Sequence, residues 1–139
     1  MKFVANNIEK ESIPVNTTES GMIQRLMRYL ENEIEFGYWK ISLEEGYDRG
    51  IDMVITTQNN IRIGIEFFKT NNPSVGLKII SRIERIAIIK NELNLDHVII
   101  FANKPFDTSP KIIAENLGVF LSSMDDMNSL SNFLIREKV

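Results

Sequence analysis

No cysteine occurs in the 139 residues, which excludes a disulfide framework and any thiolate metal site. The single histidine, His97, is too little for a His-based zinc centre. No apolar run approaches the ~20 residues that span a bilayer. The first eleven residues mix charge and amide without an apolar core, so no secretory signal is expected there. A soluble, cytoplasmic protein with no membrane segment is the expectation. Gly-rich phosphate loops, nucleophile elbows and dinucleotide fingerprints are also missing, and with them the reason to expect a nucleotide cofactor. Positive charge is in deficit: 16 Lys and Arg face 19 Asp and Glu, a net charge of −3. That balance argues against broad coating of nucleic acid, but leaves room for a basic face on one element.

What is present is an ordinary globular mixture, 43% hydrophobic and 25% charged, long enough for one core-forming domain over residues 1–139. Residues 1–16 read as an arm or a short strand, since Pro14 precludes a continuous helix. Met22, Ile23, Leu26, Met27, Leu30 and Ile34 recur at helical spacing, with Thr17 or Thr18 as cap and Gly37 as terminator. Residues 38–43, 51–57 and 61–69 read as strands, the last two paired as a hairpin across a polar turn. A long helix follows with Leu77, Ile80, Ile83, Ala87 and Ile88 among its apolar positions. Residues 97–102 hold the uninterrupted run Val98-Ile99-Ile100-Phe101, expected of a strand buried on both faces. Ser109 and Pro110 read as the start of a helix closed by Gly118. A brief strand over 119–121 and a terminal helix marked by Leu130, Phe133 and Leu134 complete the order α-β-β-β-α-β-α-β-α. The predicted class is α/β, a central mixed sheet with an antiparallel hairpin and a parallel end, flanked by helices.

Two acids stand out against this background. Asp52 sits in Gly50-Ile51-Asp52-Met53-Val54-Ile55, and Glu66 in Ile63-Gly64-Ile65-Glu66-Phe67-Phe68-Lys69. A hairpin would bring them side by side, and paired carboxylates can hold a hard divalent cation such as Mg²⁺ or Mn²⁺. Such a cation activates water and offsets the charge of a phosphodiester under attack. A lysine two residues after the second acid would complete the set, but Lys69 comes one residue late. The bland alternatives are a turn-bonding acid for Asp52 and the solvent face of an edge strand for Glu66. Unpaired burial of Glu66 among Ile63, Ile65 and Phe67 would be costly.

The element order and these acids resemble the PD-(D/E)XK nuclease superfamily, most of all archaeal Holliday-junction resolvases and Mrr-type restriction endonucleases. The resemblance spans residues 18–134 and implies a restriction-endonuclease-like fold and Mg²⁺-dependent hydrolysis of phosphodiester bonds in DNA. Gly50-Ile51-Asp52 matches the first motif and Ile65-Glu66 the second. Glu19, ahead of Met22-Ile23, matches the acid that resolvase-like members carry at the start of their first helix. The resemblance implies metal ligation by Asp52, Glu66 and the carbonyl of Phe67, with Glu19 supporting a second ion or orienting water. It also implies a charge-stabilising role for Lys69. The family pattern places lysine at position 68, where this chain has Phe68. Since strand side chains alternate faces, Lys69 reaches Glu66 only through a bulge at Phe67-Phe68. Failing that, the lysine role passes elsewhere, for instance to Lys78, or the site is inert and the chain is a nucleic-acid or protein-binding module.

On the long helix, Lys78, Arg82 and Arg85 follow i, i+4, i+7 spacing. A phosphate-contacting ridge and a solvated face with Glu84 interspersed fit that spacing equally. Tyr47, Asp48 and Arg49 lie in the loop entering the site. Trp39 and Tyr38 read as strand and core residues, and His97 as a strand-boundary residue. The partner implied is duplex or branched DNA, met by a homodimer where that DNA has two-fold symmetry.

Overall fold

The computed structural model describes residues 8–10, 21, 24–26, 28–29, 39–42, 51–57 and 60–136. Its spine is a six-stranded mixed sheet whose spatial order is the chain order, β1 to β6. The strands are β1 (Ile8–Lys10), β2 (Trp39–Ser42), β3 (Met53–Thr57), β4 (Arg62–Phe68), β5 (His97–Ala102) and β6 (Phe120–Ser123). β2, β3 and β4 pair antiparallel, whereas β1 lies parallel to β2, and β4, β5 and β6 run parallel. The expected α/β class, with an antiparallel hairpin and a parallel end, is the observed one. Strand β1 falls where the sequence left arm or strand open.

Alternation along the strands sorts side chains into two cores. Met53, Ile55, Ile63, Ile65, Phe67, Ile99 and Phe101 point to one face. There they meet Leu26 from the helical residues at 24–26, and Leu130 and Leu134 from helix α3 (Met127–Arg136). The Tyr29 hydroxyl, 3.0 Å from Asn128 Oδ1 and 3.1 Å from Ser131 Oγ, ties the N-terminal helical segment to α3. Val54, Val98, Ile100 and Ala102 point to the opposite face. Covering them are helix α1 (Ile80–Glu92), entered through a 3₁₀ turn at Leu77–Ile79, and helix α2 (Thr108–Leu117). Ile79, Ile83, Ile86 and Ile89 form the buried stripe at helical spacing. The helices that link β4 to β5 and β5 to β6 therefore share one face, and the other is closed by the first and last helical segments.

Two local features fix the middle of this arrangement. At Gly64 in β4 a Cβ would stand 2.6 Å from Leu95 Cδ1 and 3.0 Å from Ile51 Cδ1, so only glycine lets those side chains close over the strand. Gly118, at φ +73°, takes the left-handed position that ends α2, and Val119 N–H donates to Ala114 O at 2.9 Å. One boundary differs from the sequence expectation. Asp107, in extended backbone, precedes α2, so Ser109 and Pro110 are its second and third residues rather than its cap. Pro110 is tolerated there because first-turn amides have no intrahelical acceptor.

Candidate active site

β4 is the fourth of six strands, and Glu66 lies in it at 1% exposure. The solvent-facing edge position considered from sequence is thus replaced by a fully interior one. Glu66 shares with Phe68 the face covered by α1. Met53 pairs with Ile65, and one residue beyond that pair stand Asp52 and Glu66. Asp52 precedes the first residue of β3, and its backbone N–H still donates to Ile65 O at 3.0 Å. Its carboxylate turns back on β4, where Oδ2 accepts the Phe67 N–H at 2.7 Å. That bond uses a backbone donor just beyond the end of the β3–β4 ladder and holds Asp52 against the residue next to Glu66.

Among the described residues, the cation paired with Glu66 comes from α1. Arg82 Nη1 donates to Glu66 Oε2 in a close ion pair, while the guanidinium carbon lies 5.0 Å from the centre of the Phe68 ring. The Arg82 side chain keeps 39% exposure, so the pair spans from the interior to the surface. Glu66 Oε1 is buried with no hydrogen-bond partner among the described residues. Burial pushes the Glu66 carboxyl from its ordinary 4.5 up to about 7; the bond and charge of Arg82 oppose this, the charge of Asp52 adds to it, and Arg85 opposes it weakly.

Lys69 is placed differently. β4 stays in unbroken register with β5 from Ile63 through Phe68, so the bulge that would turn Lys69 towards Glu66 is absent. Lys69 follows the last strand residue and is exposed. Lys78, also exposed, borders an open hollow of about 270 Å³ with Phe68, Thr70, Asn72, Ser74 and Asp107. Arg85 is exposed on α1. The proposed basic ridge is therefore not uniform, because Arg82 is committed to Glu66 whereas Lys78 and Arg85 face solvent. Among the described residues no three His, Cys, Asp or Glu side chains gather as a metal-binding group. Glu19, Tyr38, Tyr47, Asp48 and Arg49 lie outside the described residues, as do the Trp39 side chain's surroundings. His97 begins β5, half-buried, with its ring edge-on to Phe133 at 5.4 Å.

The partnership of Arg82 with Glu66 was missed in the sequence. A signal existed: Arg82 lies three residues after Ile79 and four before Ile86, on the flank of the buried stripe. A cation there borders the sheet rather than open water.

No family model matches the chain, and no curated protein matches it. Solved structures do. A crystal structure of a protein of unknown function, AF1548, aligns with a TM-score of 0.53 at 22% identity, over 73% of this chain and 54% of its own. A repair endonuclease from Pyrococcus abyssi aligns with a TM-score of 0.50 at 16% identity, over 82% of this chain and 47% of its own. The chain thus spans about half the length of these two proteins and has a fold in common with a nuclease. No helix among the described residues is long and apolar enough to cross a membrane.

Proposed function

We propose that the chain is a divalent-metal-dependent nuclease of the PD-(D/E)XK type that hydrolyses phosphodiester bonds in DNA. The observation that carries this reading is the buried Glu66, whose Oε1 has no partner among the described residues, with Asp52 near enough for its charge to act on it. A carboxylate oxygen buried without a donor is costly. A hard cation is a ligand suited to that oxygen together with a second carboxylate nearby. Asp52, Glu66 and the carbonyl of Phe67 would hold Mg²⁺ or Mn²⁺; in a strand the N–H and C=O of one residue point to the same neighbour, which directs that carbonyl towards the Asp52 side. A bound cation there would supply a Lewis acid and an activated water.

The chain's own residues would do the rest. Lys78 and Arg85, exposed on or before α1, would contact phosphates flanking the cleaved bond, with Arg82 between them. Arg82 rather than Lys69 would be the cation at the reacting phosphate, because among the described residues it is the one paired with Glu66. Glu19 remains the acid for a second ion or a water. Branched DNA with two-fold symmetry would be met by a homodimer. The repair-endonuclease neighbour supports the nuclease reading through its fold.

Isothermal titration with Mn²⁺ should give binding by the wild type and none by Asp52→Ala. Duplex or branched DNA with Mg²⁺ should be cut by the wild type and spared by Glu66→Gln. Equal Mn²⁺ binding by wild type and Asp52→Ala would overturn the metal site. A second reading, a nuclease-fold binding module without catalysis, is favoured by Phe68 standing at the lysine position and by Glu66 already being paired with Arg82. DNA binding without cutting in Mg²⁺ and Mn²⁺ would select it.

A further inference from the structure

Arg82 occupies two places at once, and they differ in what they demand. Its Nη1 satisfies Glu66 Oε2 inside the fold, while its guanidinium plane rests against Phe68 at the rim. An interior carboxylate needs a counter-cation, and among the described residues Arg82 is the one paired with it. A divalent ion held by Asp52 and Glu66 would meet the same need with twice the charge. Two cations on one carboxylate repel, so the more mobile one yields. Arg82, on a long side chain at 39% exposure, can swing outwards while keeping its contact with the aromatic ring. Its new surroundings would be the open hollow lined by Phe68 and Lys78, where a phosphate oxygen is the natural acceptor.

We infer that Arg82 is an exchangeable cation: it guards Glu66 in the metal-free protein, and on metal binding moves along the Phe68 ring to grip, with Lys78, a DNA phosphate. This rests on the metal-site reading above and adds a coupling to it. Metal raises the affinity for DNA, and DNA raises the affinity for metal by the same factor. It also gives Phe68 a purpose at a position where lysine would fix one cation permanently: the ring serves as a rail for a cation that has to move.

The wild-type protein tests this directly by nuclear magnetic resonance of the Arg82 guanidinium, the Phe68 ring and the Phe67 amide during titration with Mg²⁺. All three signals should shift, and the Arg82 Nη–H protons should exchange faster with water once released from Glu66. A shifted Phe67 amide with an unchanged Arg82 signal would overturn the exchange while leaving the metal site standing. An unmoved Phe67 amide would overturn the metal site, and the exchange with it. The second measurement is DNA affinity with and without Ca²⁺, which takes the same oxygen ligands in looser geometry. Wild type should gain roughly tenfold or more, Arg82→Gln should lose most of that gain, and Arg82→Lys should recover part of it. A gain undiminished in Arg82→Gln would overturn the inference.

Discussion

At Glu66, the cost of burial and the attraction of Arg82 act in opposite directions, and burial is the larger. The folded-state value of about 7 stands above the ordinary 4.5. The folded chain therefore holds a proton that the unfolded chain releases between those pH values. By linkage, the stability gained from protonated Glu66 is fully present below pH 4.5 and fades as pH rises to about 7. The difference is on the order of 3 kcal/mol. Urea denaturation of wild type and Glu66→Gln at several pH values isolates it. The difference between the two curves should change across that window and be flat above it; a constant difference would refute the shift. Two residues along, Phe68→Lys restores the acid-x-lysine spacing. It removes the ring beneath Arg82 but gains a cation on the face of Glu66. If the wild type proves inert, this variant should acquire measurable Mg²⁺-dependent cutting of plasmid DNA; continued inertness would place the defect elsewhere than position 68.

β4 and α1 carry the Glu66–Arg82 pair, and each can be probed as an element. In β4, Gly64→Ala would set a methyl 2.6 Å from Leu95 Cδ1. Overpacking of this kind costs about 1–3 kcal/mol, and Leu95→Ala in the same chain should relieve part of it. Thermal melts of the single and double variants measure that recovery. On α1 and the 3₁₀ turn before it, charge reversal at Arg85 and Lys78 should weaken DNA binding and flatten its dependence on salt by roughly one unit of slope for each lost phosphate contact. An unchanged slope would return that face to simple solvation. These elements also mark how far sequence could be read. Val98 to Phe101 gave β5 from apolar continuity, and Gly118 gave the end of α2 from its need for positive φ. That Asp52 lies near enough for its charge to act on Glu66 is in keeping with the hairpin. The Glu66–Arg82 contact could not be read that way, because it joins positions sixteen apart across two layers, and periodicity reports only which face of one element is apolar. The same limit hid the α2 cap: Ser109-Pro110 is a plausible start, and the choice of Asp107 depends on the chain's path after Val75 bridges Phe106.

At the scale of the molecule, two apolar clusters lie on opposite faces of one sheet. Ile83, at the centre of the cluster beneath α1, and Leu26, from the opposite layer, are both completely buried. Truncation of either to Ala should cost about 2–5 kcal/mol. Because the sheet transmits the loss from one face to the other, each variant should still unfold in one transition, with circular dichroism and fluorescence midpoints coinciding. Separate midpoints would show that the layers melt independently.

The coincidence of strand order with chain order has a consequence for how the protein is made. No strand has to wait for a later one to arrive before its neighbour in sequence can pair, so the sheet can grow outward along the chain during synthesis. β4 and β5 have the longest pairing, Ile63 to Phe68 against His97 to Ala102, and are joined by a helix that packs directly on them. That segment is the natural seed, with β1 and β6 added at the edges. Amides of Ile65 and Ile99 should then be among the last to exchange with deuterium in the native protein, and those of β6 should exchange well before them.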